Sequence, residues 1–231
     1  MRALILAAGR GTRLEAVNGG LPKGLVEVGG KPILDRQIEL LESLDVDRIC
    51  IATGYNYELI EKRYGERVDY RYNPFFEHGN NIVSFMFARD WIDGDLVVLY
   101  ADLIYEPAIL DAALNSTADI GMVVDRNAVE RGHALVSVEN GKITRVGTEL
   151  GESEAHARFI GIAKYSTDGL NAMLPEIESA VKAGKTDQYY IIGARSLMTR
   201  GYPVVPVDIS GRKWLEIDFP EDLERARREW A

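Results

Sequence analysis

Residues 3–14 read Ala3-Leu4-Ile5-Leu6-Ala7-Ala8-Gly9-Arg10-Gly11-Thr12-Arg13-Leu14. The first six form an apolar run of strand length that stops at glycine, which predicts a buried strand feeding a loop. Small residues and glycines in that loop let backbone N–H groups approach a phosphate chain closely. Arg10 and Arg13 add charges matched to phosphate oxygens. Two familiar phosphate loops are excluded by spacing. A dinucleotide fingerprint needs glycine where Leu14 stands and an acid after the second strand, which here ends Ala52-Thr53-Gly54. A P-loop needs Ser or Thr after Gly-Lys, whereas Gly30-Lys31 is followed by Pro32. A plain glycine turn is the competing reading.

Working outward, Leu34, Ile38, Leu41 and Leu44 recur at helical spacing before an apolar run over 49–53. A short helix over 58–64 and a short strand over 68–72 follow. Residues 81–92 read as helix, with Ile82, Phe85 and Met86 on one side and Arg89 closing that face at the solvent edge. The run 96–100 is a continuous apolar strand between Gly94 and Asp102. Such alternation predicts a parallel sheet with helices on both faces. The second half is richer in strands, expected over 120–125, 134–139, 142–146 and 159–164. Asn140-Gly141 marks a two-residue hairpin. Helices are expected over 168–182 and 187–200, a strand over 204–208, and a last helix from Pro220 to Trp230 with proline at its start. No internal repeat or linker interrupts this order, so one α/β domain over 1–231 is expected, with a β-rich insertion over its face.

The 231 residues are 46% hydrophobic and 27% charged, which suits a soluble globular chain with a sizeable core. With 27 Lys+Arg against 36 Asp+Glu the net charge is −9. An acidic chain without a basic tract argues against nucleic acid or an anionic membrane as partner. The one cysteine, Cys50, excludes an intramolecular disulfide and a Cys-based zinc site, and it suits a reducing cytoplasm. No segment approaches the roughly 20 apolar residues that span a bilayer.

Three further stretches carry chemistry. In Leu21-Pro22-Lys23-Gly24-Leu25, Pro22 limits the backbone so that Lys23 is presented from a defined turn. Asp102 lies just past the 96–100 strand, at a carboxyl end where open α/β sheets gather ligand groups; a turn or helix cap is the competing reading. In Trp214-Leu215-Glu216-Ile217-Asp218-Phe219-Pro220, strand alternation puts Glu216 and Asp218 on one face. Paired carboxylates repel unless solvated or bound to a cation, although Asp218 could instead cap the last helix.

Taken together, the glycine loop and Pro22-Lys23 resemble the nucleotidyltransferase family that builds activated sugars and alcohols, along nearly the whole chain. The resemblance implies a Rossmann-like α/β/α fold with a mixed sheet, nucleotide-binding roughly over 1–118 and acceptor-binding over 119–231. It implies that Ala8, Gly9, Arg10, Gly11 and Thr12 bind a nucleoside triphosphate, that Arg13 and Lys23 are catalytic, and that Asp102 and Asp218 hold Mg²⁺, with Glu216 as an outer or third ligand.

Within that family, Asn80-Asn81 leading into Ser84, and the ending Trp-x-Glu-Ile-Asp-Phe-Pro-Glu-Asp-Leu, resemble the phosphocholine and phosphonate cytidylyltransferases. This implies that Asn81 and Ser84 line a cytidine site, against the simpler reading of Asn80 or Asn81 as a helix cap. The sequence departs from relatives with aminoalkyl substrates between Asp125 and Leu135, where an acidic stretch gives way to Arg126, Arg131 and His133. With Arg158 these suit an anionic acceptor, unless they are plain surface charges; Tyr189, Tyr190 and Trp214 could instead cage a quaternary ammonium. The expected reaction joins CMP from CTP to a small phosphonate or phosphomonoester and releases pyrophosphate. A sugar-1-phosphate nucleotidyltransferase using another triphosphate and a non-catalytic nucleotide sensor are the rivals, and a homodimer is left open.

Overall fold

The computed structural model describes residues 1–230. In chain order, β1 (Arg2–Leu6) enters the loop and α1 (Glu15–Asn18), and β2 (Glu27–Val28) with β3 (Lys31–Pro32) makes a small ladder before α2 (Ile33–Ser43). Then come β4 (Arg48–Thr53), α3 (Tyr57–Tyr64), β5 (Asp69–Tyr72), α4 (Asn81–Phe87), β6 (Leu96–Tyr100), β7 (Leu103–Tyr105) and α5 (Pro107–Leu114). The second half runs β8 (Ile120–Asp125), β9 (Leu135–Glu139), β10 (Lys142–Gly147), β11 (Ala157–Tyr165), α6 (Thr167–Lys182), α7 (Ile192–Thr199), β12 (Val205–Asp208), β13 (Trp214–Glu216) and α8 (Pro220–Glu229).

One mixed sheet organises these elements in the order β10-β9-β11-β6-β1-β4-β5, with β8 joined to β11 and β12. β1 pairs in parallel with β4 and β6, and β4 in parallel with β5, as the alternation in the first half requires. Antiparallel β11 then fastens the second half onto β6. The strand-rich second half is therefore an extension of the same sheet; it is not a layer over its face. Strand alternation divides the core in two. Ala3, Ile5, Ile49 and Ile51 meet Leu34, Ile38 and Leu41 of α2, while Leu4, Leu6, Cys50 and Ala52 meet Ile82 and Phe85 of α4. A smaller cluster joins Leu14 of the loop to Leu215, Ile217, Val26 and Leu223.

Two expected helices are shorter than their pattern. The one over 81–92 ends at Phe87 and tightens into a 3₁₀ turn at Arg89–Trp91, which sinks the Trp91 ring so that its indole N–H reaches Asp69 at 2.9 Å. The one over 187–200 starts only at Ile192, because the Tyr190 N–H is taken by the Asn81 side chain at 2.8 Å. The Asn140-Gly141 hairpin forms as expected, with φ of +49° and +75°. Among the described residues no helix is long and apolar enough to cross a membrane.

Candidate active site

Gly11 takes the left-handed conformation (φ +64°) and turns the chain from β1 into a 3₁₀ turn over Thr12–Leu14. Burial of Leu14 anchors that turn. Pro22 is extended (φ −52°, ψ 140°) and launches a second 3₁₀ turn, Lys23–Leu25. The Lys23 ammonium lies 3.1 Å from Asp102 Oδ2 and also bonds Asp218 Oδ1. Arg13 reaches Asp218 Oδ2 at 3.5 Å while its guanidinium lies over Phe219.

The carboxylates meet because two chain segments zip together. β13 pairs antiparallel with β7, placing Glu216 opposite Leu103. The next bond, Ile217 N–H to Asp102 O at 2.9 Å, brings Asp102 beside residues 216–218. One oxygen from each of Asp102, Glu216 and Asp218 then lies within 4.8 Å of the others. Asp218 does not cap α8. That task falls to Asp222, which accepts from the N–H groups of Asp218 (3.1 Å) and Phe219 (2.8 Å).

Electrostatics follow from this crowding. Burial pushes the Asp102 carboxyl up to about 6, Lys23 draws it back, and Glu216 and Asp218 add to the rise. Burial opposes the Lys23 charge, but Asp102 and Asp218 outweigh it and hold the ammonium above its ordinary range. Asp102 Oδ1 is buried with no hydrogen-bond partner. Three hard oxygen donors with one orphaned lone-pair set fit a divalent cation of the Mg²⁺ class. Asp102, Asp218 and Glu216 are the residues that would hold it.

A cavity of about 390 Å³ opens in front of the cluster. Ala8, Gly9, Gly11, Thr12 and Arg13 of the loop line it, with Lys23, Asn81, Ser84 and the three carboxylates. Arg10 does not. Its guanidinium turns to Glu15 at 3.0 Å and stacks over Tyr55. Asn80 caps α4, while the Asn81 side-chain Oδ1 accepts from Tyr190 N–H and the Ser84 hydroxyl accepts from Asn73 at 3.0 Å.

A second cavity of about 530 Å³ shares Glu216 and Asp218 with the first. His133 lines it, and its Nδ1 is 3.6 Å from Glu216. So does Arg158, a buried residue whose guanidinium bonds Glu216 and lies 4.9 Å over the Trp214 ring. The Trp214 indole in turn donates to Asp125 at 2.8 Å. Three expectations for the acceptor side are corrected. β8 ends at Asp125, so Arg126 turns outward to pair with Asp208. Arg131 is exposed, its N–H bonded to Glu152, and lines neither cavity. Tyr190 is fully buried and stacked on Phe85 at 5.2 Å, so it cannot touch an acceptor. With Tyr189 on the first cavity and Trp214 on the second, these aromatics enclose no common space.

Sequence reasoning missed one contributor, Gln37 of α2, whose side-chain amide donates to the carbonyls of Tyr100 and Leu103 on either side of Asp102.

The chain is similar to several known enzymes. CTP:phosphoglutamine cytidylyltransferase of Campylobacter jejuni is 28% identical over 97% of this chain and 98% of its own. UTP–glucose-1-phosphate uridylyltransferase of Haloferax volcanii is also 28% identical, over 99% and 96%. The solved CTP:phosphocholine cytidylyltransferase of Streptococcus pneumoniae superposes with a TM-score of 0.81 at 21% identity, covering 100% and 99% of the two chains, and so shares the Rossmann-like nucleotidyltransferase fold. Residues 3–161 match the family model described as the MobA-like NTP transferase domain. The chain is a nucleotidyltransferase and belongs to the MobA-like NTP transferase family.

Proposed function

We propose that the chain transfers a cytidylyl group from CTP to a small phosphomonoester or phosphonate, releasing pyrophosphate, with Mg²⁺ as the bound cation. The observation that carries this reading is the wall shared by the two cavities: Glu216 and Asp218 face both, with Lys23 bonded to Asp218 and Asp102 on the first cavity's side. The first cavity, floored by the glycine loop, suits the nucleotide, and the second suits the acceptor. The two CTP-using proteins above support cytidine as the base.

An acceptor phosphoryl oxygen is already anionic near neutral pH, so it attacks the α-phosphorus without a strong general base. A P–O bond forms as the bond between the α-phosphorus and the bridging oxygen breaks, and that oxygen leaves with pyrophosphate. Arg13 and Lys23 hold the phosphates and offset their charge, while the chain aligns the two reactants. The cation, when bound, neutralises phosphate charge as the leaving group develops. The second cavity sets Arg158, Arg212, Lys213, Arg225 and His133 beside Asp125, Glu130, Glu216, Asp218 and Asp222, and its cations support an acceptor whose remaining group is anionic or neutral and polar.

Pyrophosphate release tests this with CTP, UTP, dTTP and GTP against phosphonoformate, aminoethylphosphonate, phosphocholine and glucose 1-phosphate. CTP with phosphonoformate is expected to exceed the other combinations by about tenfold, the scale of one well-placed polar contact. Preference for a cationic acceptor overturns the acceptor class. Preference for UTP or dTTP with a sugar 1-phosphate supports the second reading, to which the uridylyltransferase relative points. CTP binding by calorimetry without product from any acceptor would identify a sensor.

A further inference from the structure

Helix α2 buries the stripe Ile33, Leu34, Gln37, Ile38 and Leu41. One member is polar. Gln37 is 2% exposed, and burying a carboxamide without partners costs roughly 1–3 kcal/mol, so its hydrogen bonds need a reason. Its Nε2 donates to Tyr100 O at 3.0 Å and to Leu103 O at 2.9 Å. Those carbonyls flank Ala101-Asp102, where β6 ends and β7 begins. The side chain therefore spans the turn that carries Asp102. Two more bonds pin the same turn: Ala101 N–H to Leu6 O at 3.2 Å, and Ile217 N–H to Asp102 O at 2.9 Å. The first ties it to the root of the phosphate loop, the second to the chain between Glu216 and Asp218. Gln37 supplies the hold from the helix side, through both of its amide hydrogens.

We infer that Gln37 is a positioning residue for the cation site: it fixes the Tyr100–Leu103 turn and so sets Asp102 against Glu216 and Asp218. A Leu or Met at this position would continue the apolar stripe of α2 and leave both carbonyls buried without a donor. The turn would then relax, and the three carboxylates would no longer converge. This rests on the reading of Asp102 as a cation ligand. Outer partners that orient metal ligands commonly account for 10–100-fold in affinity.

The test measures Mn²⁺ binding to the nucleotide-free protein by electron paramagnetic resonance, in the parent, Gln37→Met, Asp102→Asn and the double variant. Gln37→Met is expected to weaken Mn²⁺ binding about tenfold and to lower the unfolding midpoint, because the Tyr100 and Leu103 carbonyls lose their donor, while the protein stays folded at the assay temperature. In the Asp102→Asn background it is expected to add nothing, since its effect passes through that carboxylate. If Gln37→Met does not accumulate folded, Gln37→Leu also removes both donors without burying a charge and is expected to show the same loss. Mn²⁺ affinity within twofold of the parent in the folded variant overturns the inference while leaving the Asp102 assignment standing. Asp102→Asn binding Mn²⁺ like the parent overturns both.

Discussion

A Cβ placed on Gly11 would lie 2.5 Å from Lys23 Cγ, so the glycine loop and the lysine occupy adjoining space that only glycine leaves open. The same residue sits at φ +64°, where a side chain adds about 1–2 kcal/mol of backbone strain. Gly11→Ala is therefore expected to displace Lys23 and lower kcat at least tenfold, with a stability loss of about 1–2 kcal/mol. Steady-state kinetics with urea unfolding checks this. A kcat within twofold of the parent would show that loop and lysine do not depend on each other.

Lys23 links two carboxylates that otherwise repel, and it faces the cavity assigned to the triphosphate. Lys23→Ala is expected to lower kcat by about 10²–10³, the range for removal of one preorganised charge-stabilising group. Single-turnover measurement with saturating CTP isolates the transfer step. A loss confined to KM would place Lys23 in binding alone.

Arg158 is buried against Glu216 and Trp214, and removing one partner of a buried pair leaves the other uncompensated. Arg158→Gln is expected to destabilise the fold by about 2 kcal/mol, below the fully buried range because Glu216 keeps some solvent. Arg158→Gln/Glu216→Gln should be more stable than the sum of the single changes. Strict additivity in urea unfolding would show that the two side chains do not interact.

Asp35 of α2 is held below the usual carboxylate range, first by the Arg63 guanidinium at 2.8 Å and 2.5 Å, with help from the Tyr64 hydroxyl. A depressed folded-state value stabilises the protein above the ordinary Asp range near pH 3.9, and the benefit fades as pH falls through the folded value. Asp35→Asn is expected to cost about 1 kcal/mol from pH 7 down to about 5 and progressively less below pH 4. Urea unfolding across that range checks the sign; a difference that grows toward acid would contradict it.

The first half of the fold and most of the site could be read from residue order because each piece is contiguous. β1 runs straight into its loop, Lys23 follows Pro22, and the Glu216/Asp218 pair shares a short stretch. What escaped depended on distant partners. Gln37 interrupts an apolar stripe with nothing nearby to explain it, because its acceptors lie 63 and 66 residues away. Arg126 lies close to His133 in sequence, but the end of β8 turns it toward Asp208. Tyr190 reads like its neighbour Tyr189 until Asn81 captures its N–H and the ring stacks on Phe85. Helical spacing over 187–200 could not reveal that capture, which delays α7 to Ile192.

The most direct test of group transfer follows CTP, Mg²⁺ and the acceptor panel by ³¹P nuclear magnetic resonance. The account predicts pyrophosphate and a new pair of mutually coupled P–O–P signals, appearing in equal amounts and only when enzyme and acceptor are both present. Unchanged CTP with every acceptor, or hydrolysis to CMP and pyrophosphate without a P–O–P product, would contradict it.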